Sequence, residues 1–211
     1  MRLKTNNGRL FVWLVALLIF FMISSPVLGA DGPLSVIRSG TDKALEILRD
    51  REPDGNLNLR ARRGEILTIV DKYFNFHEMA KRALGRPWKD QTPEKRQQFV
   101  DLFKELLFNT YVDQVEKYTA GNERVVYDEQ QIDQGYALVK TRVLGYKNTD
   151  VPVEYRLTFE NGQWKVYDVV IAGISLVSNY RSQFRSILAN NSFNDLLDMM
   201  KRKVDSQSSF S

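Results

Sequence analysis

The sequence predicts an α+β fold in one domain: an antiparallel sheet of about four strands packed against several helices. Three observations carry the architecture. Apolar residues recur every three or four positions from Leu34 to Tyr118, the helical period. Between Arg124 and Ile171 the period becomes two. After Gly173 it is helical again. No linker, repeat or low-complexity block divides the chain, so residues 31–205 are assigned to one domain and 206–211 to a disordered tail.

The first helix is expected from Leu34 to about Arg51, with Val36, Ala44, Leu45 and Leu48 among its apolar positions, ended by Glu52-Pro53-Asp54-Gly55. Arg60 to Tyr73 is a second, through Ile66, Ile69, Val70 and Tyr73. Asn75 and Phe76 open a short third helix, closed by Gly85 and Pro87. Thr92-Pro93-Glu94 starts the longest: a hydroxyl cap, a proline at the first helical position and an acid in the first turn. Ala120-Gly121-Asn122 ends it. Strands follow at Arg124–Gln131, Tyr136–Tyr146 and Val151–Glu160, the last alternating Val151, Val153, Tyr155, Leu157 and Phe159 with polar residues and Pro152. Asn161-Gly162 is a hairpin turn. Gln163–Ile171 is apolar on both faces except for Asp168, which predicts a central strand. Two helices close the chain, one through Ile174, Val177, Tyr180, Phe184 and Ile187, the other from Phe193 to about Lys203.

Charge argues against nucleic acid. The formal net charge is +4, but residues 1–30 hold three of the 30 basic residues and no acid, so the remainder is close to neutral. Trp88 and Trp164 do not interleave with a basic run, as stacking on single strands would require. The same thirty residues read as a cleaved signal peptide. A basic start leads into the apolar run Leu10–Ile23, broken by Ser24-Ser25-Pro26, with cleavage placed after Gly29 or Ala30. The run is shorter than the ~20 apolar residues of a typical span, which disfavours the alternative of an uncleaved anchor. There is no cysteine, which removes disulfides, thiolate metal sites and a cysteine nucleophile.

Catalytic and metal constellations are sparse. The one histidine, His77, adjoins Glu78, but neighbours on a helix point apart, so a metal pair is not indicated. Gly173-Ile174-Ser175-Leu176-Val177 begins like a nucleophile elbow but lacks its last glycine. Gly85-Arg86-Pro87 lacks the lysine and spacing of a phosphate loop. Asp168, in an apolar strand, is read either as an acid or base of shifted pKa or as a buried structural carboxylate paired with an arginine. Basic clusters at Arg60, Arg62 and Arg63, at Lys81, Arg82, Arg86 and Lys89, and at Lys201–Lys203 are solvated helix faces or a rim for anionic head groups.

Longer motifs are more specific. Trp164-Lys165-Val166-Tyr167-Asp168-Val169, then Gly173-Ile174-Ser175-Leu176-Val177-Ser178-Asn179-Tyr180-Arg181-Ser182-Gln183-Phe184, closely resembles the MlaC family of periplasmic phospholipid-binding, or toluene-tolerance, proteins. Tyr73-Phe74-Asn75-Phe76, Met79-Ala80, Leu84-Gly85 and Trp88 resemble a second family run, with Asn75 where aspartate is usual. Thr92, Phe99, Phe103 to Leu107 and Tyr111 supply a third. The resemblance implies a non-enzymatic carrier without a cofactor; the chain is expected to act as a monomer. It implies a phospholipid ligand, an inner-membrane ABC transporter with an MCE-domain subunit and an outer-membrane lipoprotein complex as partners, and no nucleic acid.

It also implies a cavity for the acyl tails. Three walls are expected: Val139, Val143, Val153, Tyr155, Leu157, Val169 and Ile171 on the sheet; Phe99, Phe103, Leu106 and Leu107 on the long helix; Ile174, Val177, Tyr180 and Phe184 on the signature helix. Phe76, Met79 and Trp88 are expected at the mouth, and Asp168 is expected to pair with Arg181. Two alternatives remain at this point: a lipid-free adaptor of the cell envelope with a solid core, and a small-molecule enzyme using Asp168.

Overall fold

The computed structural model describes residues 32–49, 59–118, 124–146 and 149–208. The expected leader, the turns around Pro53 and Gly121 and the last three residues lie outside them. Residues Asp31–Ser211 form one compact unit.

Helix α1 spans Pro33–Arg49, α2 Leu59–Tyr73 and α3 Phe76–Leu84. The Asn75 side chain caps α3 by accepting from the Glu78 amide at 2.9 Å, and its own amide group donates to Glu160 at 2.8 Å. Gly85, at φ +72°, ends α3 in a conformation that suits glycine. A 3₁₀ turn, Arg86–Asp90, leads to α4, Pro93–Tyr118, where the Lys95 amide donates to Thr92 Oγ1 at 3.3 Å. Gly40 lets α1 approach α2 closely: a Cβ there would stand 3.2 Å from the Tyr73 ring.

The strands are β1 Arg124–Asp133, β2 Tyr136–Tyr146, β3 Thr149–Glu160, β4 Gln163–Ile171 and a two-residue β5, Ile174–Ser175. They form an antiparallel meander in sequence order. Gln134-Gly135 and Asn161-Gly162 make the hairpin turns, with positive φ at both positions of each pair. Helix α5, Leu176–Leu188, and α6, Phe193–Ser208, complete the fold. Helix α6 continues past the expected end near Lys203, through Ser206, which the sequence placed in a disordered tail. Ser192 and Asp195 cap it reciprocally: the Ser192 amide donates to the Asp195 carboxylate at 2.9 Å and the Asp195 amide to Ser192 Oγ at 3.2 Å.

Strand β4 is not central. Beyond it lies only β5, pairing Val170 with Ser175 and Ile171 with Ile174. The rest of its edge is closed by a bridge from Phe74, where the Asn75 amide donates to the Val166 carbonyl at 2.8 Å. It is apolar on both faces because packing covers each. Val166 and Val169 join the sheet's inner face, and Tyr167 packs against the helices.

Three irregularities set the register. One falls between Tyr127 and Glu129 and one between Val143 and Tyr146; the third lies at Tyr167, so that Arg156 opposes Asp168 while Leu157 opposes Val166. The inner face then reads in rows across the strands: Val125, Val143, Val151; Tyr127, Thr141, Val153, Ile171; Gln130, Val139, Tyr155, Val169; and Ile132, Ala137, Leu157, Val166. On the opposite face Arg142 makes a bidentate pair with Asp128 at 2.8 and 2.9 Å, and Lys140 meets Glu129 at 3.0 Å.

Candidate functional site

The apolar residues separate into two main clusters. The first is the inner face of the sheet with α1 laid over it. Ile37, Ala137, Val139, Val153, Leu157, Val166 and Val169 are buried there, and Leu34, Val36, Tyr127, Val143, Val151, Tyr155 and Leu176 are half-buried around them. The second gathers α3 to α6 and the 3₁₀ turn around Phe99 and Phe103, both fully buried. Phe74 touches both clusters. A smaller group, Leu48, Ile66 and Val112, joins α1, α2 and α4.

The three expected walls therefore do not face one space equally. Of the expected sheet wall, Val139, Val143, Val153, Tyr155, Leu157 and Val169 share one face of the sheet. Ile171, at its end, is 36% exposed. The long-helix and signature-helix walls are in direct ring contact. Phe99 meets Phe184 at 5.4 Å between centroids, Phe103 meets Tyr180 at 5.2 Å and Phe184 at 5.8 Å. Leu106, Leu107 and Val177 are buried in the same cluster. Ile174 is 62% exposed, because it belongs to β5 and precedes the helix. Of the residues expected at a mouth, Met79 and Trp88 are buried inside the helical cluster and Phe76 packs at its margin. His77 lies edge-on to Trp88 at 5.2 Å.

Asp168 is paired, but not with Arg181. It is 2% exposed, accepts from Arg156 Nη1 at 3.0 Å and Ser175 Oγ at 2.7 Å, and its other oxygen accepts from the Val177 amide at 3.1 Å. The carboxylate thus sits at the positive end of α5 and ties β4 to it. Arg156 takes the place expected for Arg181 because the two residues are cross-strand partners. Arg181 instead donates Nε to the Arg82 carbonyl at 2.7 Å, joining α5 to α3.

Beneath α1 the sheet carries hydroxyls among its apolar side chains. Tyr127, Tyr155 and Thr141 share the inner face, and Thr141 Oγ1 donates to the Val153 carbonyl at 3.0 Å. Burial pushes the Tyr155 hydroxyl up to about 12; the Tyr127 phenol adds to this, and Thr41 and Thr141 oppose it. Burial likewise raises Tyr127. Its hydroxyl has no partner within hydrogen-bond geometry among the described residues, although the nearby Thr41 side chain opposes the rise. Tyr155 is half-buried as a residue, and its hydroxyl is desolvated. A separate groove of about 700 Å³ between α4 and α6 is lined by Leu102 and Val204 together with Glu94, Asp101, Lys201 and Asp205.

The sequence alone missed Val166, Ile37 and Tyr127 as parts of this face. A bulge shifts Val166 out of the two-residue period, and a helix in the first quarter of the chain covers the sheet only through tertiary packing. Tyr127 had a readable signal in its two-residue spacing from Val125, lost at the bulge that follows.

Comparison with known proteins agrees with this architecture. The chain resembles the intermembrane phospholipid transport system binding protein MlaC of Haemophilus influenzae, with 21% identity over 92% of each chain. It resembles the toluene tolerance protein ttg2D of Pseudomonas putida, with 27% identity over 85% of this chain and 84% of that one. Among solved structures, a phospholipid-binding protein from Ralstonia solanacearum, in complex with a phospholipid, superposes with a TM-score of 0.71 at 25% identity, over 85% of this chain and 99% of that one. The profile of the MlaC protein family matches residues 38–202, most of the chain, and the protein belongs to that family.

Proposed function

We propose that this protein carries a phospholipid through the periplasm, with the acyl chains against the sheet's inner face and the head group near solvent. The observation that supports this most directly is the likeness, over nearly the whole length of that chain, to a protein solved with a phospholipid. The leader-like residues 1–30 support export. Partners on this reading are an inner-membrane ABC transporter with an MCE-domain subunit and an outer-membrane lipoprotein complex.

The physical need is plain. Each methylene left in water costs about 0.8 kcal/mol, so two chains of about sixteen carbons carried bare would cost roughly 25 kcal/mol. A soluble carrier must enclose them, and its partners must loosen the enclosure for release. No chemical step is required. Val139, Val143, Val153, Tyr155, Leu157 and Val169 are proposed as the chain-contacting wall, with α1 as its cover. The ring-packed helical residues support that wall from behind β4.

Native mass spectrometry of protein purified without detergent, followed by solvent extraction, tests the reading. A near-stoichiometric two-chain phospholipid is the expected result. Protein that is empty and takes up no added phospholipid would favour a lipid-free adaptor.

A further inference from the structure

We propose that Tyr127 and Tyr155 hydrogen-bond the ester carbonyls of a bound glycerophospholipid, fixing its glycerol end in the recess between α1 and the sheet. The proposal rests on the phospholipid reading above and adds to it a point of recognition.

Four observations converge on these two phenols. They lie on adjacent rows of the inner face, Tyr127 opposite Thr141 and Tyr155 opposite Val139, close enough for the Tyr127 phenol to raise the Tyr155 hydroxyl. Val139, Val143 and Val153 surround them on the sheet, while Thr41 lies near both hydroxyls and Asp42 and Arg38 near Tyr127. The Thr141 hydroxyl proton is engaged by the Val153 carbonyl, so it does not satisfy a ligand. The Tyr127 hydroxyl is buried without a hydrogen-bond partner among the described residues. A buried donor left without an acceptor costs about 1–3 kcal/mol, so a sheet that keeps one is poised for an acceptor from outside.

The chemistry of the acceptor follows from the site. It must enter an apolar recess attached to hydrocarbon and bear no charge of its own. Ester carbonyls at the head of acyl chains meet both conditions; a phosphate does not, because burying it would require a buried counter-charge. A positive charge is present, but on the solvent side. Arg38, exposed on α1, holds its guanidinium 4.3 Å from the centre of the Tyr127 ring. That position suits the phosphate that follows the esters in the same lipid.

The test compares two phosphatidylglycerols with the same chains and head group, one ester-linked and one ether-linked, competing for the delipidated protein in native mass spectrometry. Wild type is expected to prefer the diester about fivefold, the worth of a net hydrogen bond. The Tyr127→Phe, Tyr155→Phe double variant is expected to fall to near parity. Equal uptake of the two lipids by wild type, or a preference that survives in the variant, would overturn the proposal while leaving the carrier intact. Uptake of neither lipid would remove both the proposal and the reading beneath it. If the double variant does not fold, Tyr127→Phe alone serves. It deletes an unpartnered oxygen, so its melting temperature when delipidated is expected at or above that of wild type, and its diester preference below.

Discussion

A carboxylate 2% exposed must be paired or lose its charge, and Asp168 is paired three ways. Asp168→Asn is expected to lower stability by about 1–3 kcal/mol in denaturant melts, because Arg156 loses its counter-charge and one buried donor is mismatched. Arg156 is itself 42% exposed, but Arg156→Gln takes the counter-charge from the buried carboxylate, so it should cost about 1–3 kcal/mol as well. The pairing is testable by additivity. Asp168→Asn should couple with Arg156→Gln and be additive with Arg181→Gln within about 0.5 kcal/mol. Coupling to Arg181 instead would contradict the geometry. Tyr155 gives a second residue-scale expectation. In the unfolded chain its hydroxyl ionises near the ordinary 10.0; folded, it holds its proton to about 12. Its contribution is therefore complete below about pH 10 and is lost as pH rises toward 12. Wild type should lose more stability across that window than Tyr155→Phe, since both share the same lysines. Parallel pH profiles would mean that the phenol is not desolvated.

The junction from β4 through β5 to α5 concentrates the local structure that the sequence pattern hides. Ala172 and Gly173 turn the chain at positive φ, a conformation uncommon for alanine. Two residues later Ser175 serves twice. Its Oγ accepts from the Ser178 amide at 3.0 Å as the cap of α5, and donates to Asp168 at 2.7 Å. Replacing a serine cap with alanine ordinarily costs about 1 kcal/mol. Ser175→Ala should cost more, about 2–3 kcal/mol, because a buried carboxylate also loses a donor. Ser192→Ala, at the exposed cap of α6, is the comparison, and thermal melts of the two variants measure the difference. Equal losses would mean that the Ser175–Asp168 bond adds nothing.

At the scale of the molecule, two apolar regions are packed differently. The helical cluster is solid, with rings in mutual contact around Phe99 and Phe103. Phe103→Ala there should cost about 3–5 kcal/mol, through lost burial and an unfilled cavity. The sheet face keeps large side chains only half-buried, Val143 and Tyr155 among them. Val143→Ala should therefore cost less than about 1.5 kcal/mol of stability yet speed the loss of phospholipid, measured by transfer to acceptor vesicles. The reverse ranking, with Val143 structural and Phe103 dispensable, would move the lipid-facing surface from the sheet to the helices.

Local pattern determined the elements and their order. Period 3.6 gave α1 to α4, period two gave β1 to β4, and Thr92, Asn75 and Asn161-Gly162 placed starts and turns within a residue or two, because capping and turn geometry act over three or four neighbours. The long motif from Trp164 to Phe184 was likewise readable, and with it the family. Tertiary structure alone decided the rest. A bulge at Tyr167 chose Val166 over its neighbour for the inner face, and strand pairing gave Asp168 to Arg156. Packing closed Phe99 and Phe103 onto Tyr180 and Phe184, while laying α1 over Tyr127 and Tyr155. Periodicity reports which side of an element is apolar; which apolar sides meet, and which leave room between them, depends on contacts between residues far apart in the chain.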